Sequence, residues 1–418
     1  MTKKIKILTI GDNPMAPSGV AIQTKNMIQG LLETGDYKFF SFAGALQHNN
    51  YDPFVTEEYG DDWVIQPVDG FGNDEQIRSI MRTYKPDILW FMTDPRFYEW
   101  LWNLENEIRP NMPMVYYHVW DNLPYPTFNK AFYDSNDCVV AISKLTEDIV
   151  KTVSPDVECL RIGHAVDTDV FCKEENTDMS TIAPNLPEDK FVFFWNNRNA
   201  RRKQSGSLIW WFNEFLSKTD NKDALLVMHT EPFDPNGQDL VQIIEHLGLE
   251  GNVLLSTKKM PSEELAKFYN YADCTINISD AEGFGLSTLE SLSCETPIIV
   301  TMTGGLQEQV TDGIEWFGIG LNPTSKSIIG SQQVPWIYED RIDGDDLIEA
   351  MLEIYNMPKE KRLDMGKKGR NHVLQNYNLV DYHKNWDNFM KSLNERHGSW
   401  DSRKIYKNYK ITEISNEA

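Results

Sequence analysis

"DAEGFGLSTLESLSCETPIIVTMTGGLQE", Asp280 to Glu308, is the stretch on which the fold turns. A short apolar run, "DCTINIS" (Asp273 to Ser279), stands before it, and a second, "PIIVT" (Pro297 to Thr301), lies inside it. Between the two runs a glycine turn leads into the helix-forming "LSTLESLSC". Strand, turn, helix, strand is the unit of a parallel sheet. The turn sets the N–H groups of Gly283 to Gly285 at a helix start, where backbone donors lack partners and an anion is stabilised. Two acids, Glu282 in the turn and Glu290 inside the helix about two turns beyond it, flank that site and would repel a phosphate. A nucleotide sugar reconciles them, because its charge lies in the middle and its hydroxyls at both ends, where carboxylates can accept them. A capping acid and a surface glutamate are the plainer alternative.

The same alternation runs outward in both directions. In the first half "IKILTI" (Ile5 to Ile10), "DILWFM" (Asp87 to Met92), "MVYYHVW" (Met114 to Trp120) and "DCVVAIS" (Asp137 to Ser143) read as buried strands. "SGVAIQTKNMIQGLLETG" reads as a helix started by Ser18 and ended before Gly35. A polar, proline-bearing segment without periodicity, Lys173 to Lys190, interrupts the pattern, which restarts at "FVFFW" (Phe191 to Trp195). From Asp345 to about Asn394 three helical stretches follow one another, long enough for the last to return to the first half. The reading is α/β, with two doubly wound units in tandem. Residues 1–178 form a first Rossmann-like domain, 186–376 a second, 377–395 a helix packing back on the first, and 396–418 a polar tail.

The bulk numbers suit that division. A chain of 418 residues exceeds a typical single core, and 41% hydrophobic residues allow two. With 63 acidic against 40 basic residues the formal charge is −23, which disfavours non-specific attraction to nucleic acid or anionic lipid. Five scattered cysteines without a C-x-x-C pair read as reduced thiols, and no apolar run spans a bilayer, so a cytoplasmic setting is expected. The sequon at Asn277 sits in an apolar run and carries little weight.

Three further stretches are candidates for chemistry. "GDNPMAPSGVAIQTKN" joins the first strand to the first helix, with Ser18 and Gly19 where backbone N–H groups point outward and no β-carbon blocks a ligand at Gly19. It holds neither G-x-G-x-x-G nor a Walker loop, so a dinucleotide fold and a Walker ATPase are disfavoured. "FFWNNRNARRKQ" crowds Arg198, Arg201, Arg202 and Lys203 after a buried strand, where open sheets bind ligands and where a diphosphate would find its cations. A solvated basic turn is the alternative. In "YYHVWDNLPYP", His118, Trp120 and Asp121 follow a strand and would face the second domain, although a lone histidine is as readily structural. "DTD" (Asp167 to Asp169) and "DGDD" (Asp343 to Asp346) look like metal clips but lack supporting ligands; the first reads as a turn and the second as a helix start.

Taken together these residues resemble glycosyltransferase family 4, the retaining group 1 glycosyltransferases of GT-B fold. "EGFGLSTLE" matches the family's E-x(7)-E motif, and "TGGLQEQVTDG" its G-G-x-x-E-x-V-x-D-G segment. "AISKLTEDI", "RIGHAVDTDVF" and "PSEELAKFYNYADC" resemble further family segments, and the likeness is strongest from about Val139 to Gly313. "HVWDN" and the long loop 318–344 resemble phage-encoded members, which would work in the host cytoplasm.

The resemblance implies a cleft between two Rossmann-like domains and a C-terminal helix crossing back. It implies a nucleoside diphosphate sugar, UDP- or GDP-linked, held mainly by the second domain. Glu282 would contact sugar hydroxyls and Glu290 the ribose. Arg198 and Lys203, spaced as R-x(4)-K, would hold the diphosphate. Ser18, Gly19, Gly283, Phe284, Gly285 and Leu286 would line the donor, and His118, Trp120 and Asp121 the acceptor side. His118, Arg198, Lys203 and Glu282 would be the catalytic set, with no cofactor and no metal. Ser18, Asn197 and Gln204 stand where the family usually has glycine. The expected activity is hexose transfer to a hydroxyl of a glycan or small molecule. Transfer to a 5-hydroxymethyl pyrimidine of viral DNA, a nucleotide-sugar epimerase and a silent sugar-binding protein are the rivals.

Overall fold

The computed structural model describes residues 3–404 and 406, apart from 176, 181, 184, 185, 188, 189 and 220–222. Most of the tail assigned to 396–418, and part of the linker, therefore lie outside the described residues. The first sheet holds β1 (Ile5–Asp12), β2 (Tyr37–Gly44), β3 (Phe54–Val55), β4 (Trp63–Pro67), β5 (Ile88–Met92), β6 (Met114–His118), β7 (Cys138–Ala141) and β8 (Glu158–Arg161). Their order is β3-β4-β2-β1-β5-β6-β7-β8, parallel except where β3 meets β4. Every residue of β5 is buried, as a strand covered by helices on both faces must be.

The second sheet holds β9 (Phe191–Asn196), β10 (Ala224–His229), β11 (Val253–Ser256), β12 (Cys274–Asn277), β13 (Ile298–Thr301) and β14 (Gly318–Leu321). Its order is β11-β10-β9-β12-β13-β14, all parallel. The chain winds outward from β9 in one direction and from β12 in the other. The loops leaving these two strands therefore flank a crevice at their carboxyl ends, where open sheets bind ligands. Those loops are "NRNARRKQ" and "DAEGFG".

The long loop expected at 318–344 is only partly a loop. It supplies β14 and then an antiparallel hairpin of β15 (Ser325–Ile329) and β16 (Ile337–Arg341), with Ser325 opposite Arg341. Gly330 and Pro335 break the apolar pattern within it, and its strands are held by partners far away in sequence.

Ser18 starts the helix Gly19–Glu33, its Oγ accepting the Ala21 N–H at 3.1 Å. Asp343 caps Gly344–Asn356, so "DGDD" is a helix start, and Asp167 accepts the N–H groups of Asp169 and Val170 in a turn. Among the described residues no group of three or more His, Cys, Asp or Glu is placed to hold a metal ion. None of their helices is long and apolar enough to cross a membrane. Asn277 of the sequon is fully buried.

The final helix, Leu379–His397, lies on the first domain. Trp386 is fully buried, its ring 6.0 Å from Trp90 and 5.0 Å from Tyr117, and the Tyr382 hydroxyl donates to the Gln23 carbonyl at 3.1 Å. Gly30 makes this approach possible, because a β-carbon there would collide with the His383 ring. The return crossing lies beside the outward one: the Val166 N–H donates to the Tyr377 carbonyl at 2.9 Å.

Candidate active site

After β9 the chain makes one 3-10 turn, Arg201–Lys203, and enters the helix Ser205–Lys218 through Gln204 at φ +55°. Three residues per turn send consecutive side chains in three directions. Arg201 makes a fork on Glu339, at 2.7 and 2.6 Å. Arg202 donates to the Ala281 carbonyl and stands 4.0 Å from the Asp121 carboxylate of the first domain. Lys203 turns inward and donates to Glu282, and both side chains are nearly buried, 9% and 12% exposed. Burial pushes the Glu282 carboxyl up, but Lys203 and Arg202 outweigh it and hold it below the usual range, so it is ionised.

The glycines around Glu282 have different tasks. Gly304 and Gly305 lie under the turn, and the Gly305 N–H donates to the Glu282 carbonyl at 3.1 Å. A β-carbon at Gly304 would strike that carbonyl, and one at Gly305 would come within 2.8 Å of the Phe284 Cα. The second Gly-Gly of the Asp280–Glu308 stretch is thus a bed for the first. Gly283 faces the other domain, where a β-carbon would lie 2.9 Å from the Val119 carbonyl. Gly285, at φ +91°, turns the chain into the helix Leu286–Ser293. A β-carbon at Gly19 would sit 3.3 Å from the Leu286 side chain, so the loop after β1 reaches the same helix start. Phe284 is buried against His164, ring centres 4.8 Å apart.

The other expected residues are placed unequally. Glu290 accepts the Tyr269 hydroxyl at 2.6 Å; burial raises its carboxyl to about 7, with the hydroxyl pulling the other way. Asn196, at the end of β9, holds that hydroxyl from the other side at 2.8 Å. Arg198 points outward, 62% exposed, and forks onto Asp234 at 2.5 and 3.0 Å rather than onto Glu282. The cation that joins Lys203 at Glu282 is Arg202, which the R-x(4)-K spacing does not single out. The basic run itself was the available signal. Ser18 is occupied as a cap and donates to Asp12 at 2.6 Å.

His118 is fully buried between Tyr116 and Tyr133, its Nε2 2.8 Å from the Tyr133 hydroxyl. Burial holds its imidazole at about 3, so it is neutral at physiological pH. Trp120 is buried too, its indole N–H donating to the Asn122 carbonyl at 2.8 Å. Asp121 remains at the interface, beside Gly283 and Arg202.

Two strand-order switches, two facing sheets and a helix that returns across the gap match known structures over nearly the whole chain. Sucrose-phosphate synthase from Thermosynechococcus elongatus superposes with a TM-score of 0.74, at 17% identity, over 94% of this chain and 99% of that one. HepE of Anabaena, in complex with UDP-glucose, gives 0.69 at 15% identity over 93% and 100%. The fold is GT-B. Within this GT-B chain residues 181–372 match the family model described as glycosyl transferases group 1. A curated relative, N-acetyl-alpha-D-glucosaminyl L-malate synthase of Bacillus anthracis, is 25% identical over 43% of this chain and 45% of its own length. The chain thus spans less than half the length of that relative.

Proposed function

We propose that the chain is a retaining glycosyltransferase of family 4, transferring a hexose from a UDP- or GDP-linked donor to an acceptor hydroxyl. The observation that carries this reading is the buried Lys203–Glu282 pair beside the glycine turn, at a helix start facing the other domain. The group 1 match over that domain, and the UDP-glucose complex of a similar fold, support it.

In this mechanism the acceptor hydroxyl attacks the anomeric carbon as its bond to the diphosphate oxygen breaks. The hydroxyl proton passes to the departing phosphate on the same face, which retains configuration. On this reading Lys203, Arg202 and the N–H groups of Gly283 to Gly285 stabilise the leaving charge, and Gly19 contributes its own N–H from across the gap; the proximity of these groups to one another supports it. Arg198 joins them by leaving Asp234. Glu282 accepts sugar hydroxyls and Glu290 the ribose hydroxyls, and Asp121 borders the place where the acceptor enters. Fixed cations do the work a divalent ion would do, so transfer is metal-independent.

A thermal-shift panel of UDP-, GDP- and ADP-sugars tests the donor, because a ligand that binds only the folded chain raises its melting temperature by mass action. One nucleotide sugar is expected to stand out, and the product of that donor to keep its anomeric configuration by proton NMR. A flat panel would sink the reading, and an inverted product would sink the retaining mechanism alone.

A further inference from the structure

The β15–β16 hairpin is fastened through β16 to both domains. At its base Arg341 donates to Asp280 and, at 2.9 Å, to Glu339, which also takes the Arg201 fork. The Asp340 N–H donates to the Asp280 carbonyl at 2.8 Å, and Thr303 donates to the Asp340 carboxylate at 2.7 Å. Asp280 is two residues before Glu282, so the hairpin is wired to the donor turn. On the other side the Tyr338 N–H donates to the Leu123 carbonyl at 2.6 Å, and Asn122 donates to the Tyr338 carbonyl at 2.8 Å. Val334 is buried in the core cluster of the first domain.

A cavity of about 440 Å³ opens between this hairpin and the end of β6. Ile329, Val334 and Ile337 form its hairpin wall, Val119 lies opposite, and Asp121 and Arg202 lie where it meets the donor turn. Of the charges around it, Arg96 is paired with Asp94 at 2.8 Å and Arg201 with Glu339 at 2.6 Å. Arg202 and Asp121, at 4.0 Å, are the loosely matched pair. Asn122 and Ser331 also line the cavity, the first donating to the Tyr338 carbonyl and the second accepting the Val334 N–H, so a polyol against the three β-branched side chains would leave hydroxyls short of partners, which is unfavourable. One hydroxyl at the Asp121–Arg202 end, its proton left for the departing phosphate, on a body that makes no other polar demand suits the wall.

We propose that this hairpin is the acceptor-recognition element, and that its cavity takes an alcohol carried on an apolar or aromatic body. The proposal rests on the glycosyltransferase reading above. The probes are benzyl alcohol and glycerol, with the sugar nucleotide that the thermal panel selects. The variants are the pair Ile329→Gln and Ile337→Gln, which makes the wall polar, and Ser331→Trp, on the exposed hairpin turn, which narrows the mouth. Wild type should show a kcat/KM for benzyl alcohol at least about tenfold above glycerol. Either variant should lower transfer to benzyl alcohol by about tenfold while hydrolysis of the donor by water and the melting temperature hold.

No preference for benzyl alcohol, or an equal fall in transfer and hydrolysis, would overturn the proposal and leave the glycosyltransferase reading standing. Failure to bind or hydrolyse any sugar nucleotide would overturn that reading, and this one with it.

Discussion

The two edges that meet at the cleft hold their polar groups in opposite states. On the second domain Lys203 is paired with Glu282, Arg201 with Glu339, and Arg341 with Glu339 and Asp280. On the first domain His118 is buried and neutral, Ser18 is spent on a cap, and Gly19 offers bare backbone. Stabilising a charge that develops during reaction requires dipoles and ions fixed beforehand. In the proposed mechanism one domain therefore supplies the field, and the other supplies shape and the carboxylate beside the donor turn, Asp121.

Removing Lys203 should break this contrast most severely. Lys203→Ala takes away a cation at the leaving group, worth about 10²–10³ in rate for a single such donor. It also leaves Glu282 nearly buried without its main partner, and breaking a buried pair from one side costs about 3–5 kcal/mol. Steady-state kinetics and urea unfolding should show both losses. Adding Glu282→Gln should restore much of the stability and none of the rate; a double variant as unstable as the single would place the loss elsewhere.

Glu290 sharpens the comparison by pH. Its carboxyl sits at about 7, and the ribose hydroxyls need the ionised form to accept both their bonds. The ionised fraction grows as pH rises, so donor affinity should increase through about pH 7 and level off above it, by up to about tenfold per pH unit below. Calorimetric titration of the selected donor should show this slope in wild type and a flat line in Glu290→Gln. A slope that survives the substitution would assign the proton to another group.

His118 gives the smallest expected effect. A neutral, buried imidazole contributes no titration between about pH 5 and 8, so His118→Gln should leave the shape of the pH–rate profile unchanged. Loss of a limb of that profile in the variant would return His118, at the end of β6, to the titrating groups of the site.

What the sequence reveals about this site follows from how local each signal is. The glycine turn, its helix and the acids eight residues apart all lie within one βαβ unit, so their arrangement can be read from the chain directly. That Arg202 rather than Arg198 lies beside Glu282 cannot, because it depends on the 3-10 turn Arg201–Lys203, which sets consecutive side chains about 120° apart, and on Asp234, which takes Arg198 from 36 positions away. The burial of His118 is hidden for a related reason. The end of a strand marks a ligand edge, yet Tyr133, fifteen positions on, closes over the imidazole. The hairpin is the least legible part, since Glu339, Asp340 and Tyr338 find their partners at Arg201, Asp280 and Leu123.

The paired crossings at Val166 and Tyr377 constrain how the cleft can open. Two strands of backbone tied side by side act as the pin of a hinge, so the domains can swing about that line but slide along it only by breaking the bond between them. The hairpin's bonds to Asn122 and Leu123 add a second tie between the same two domains.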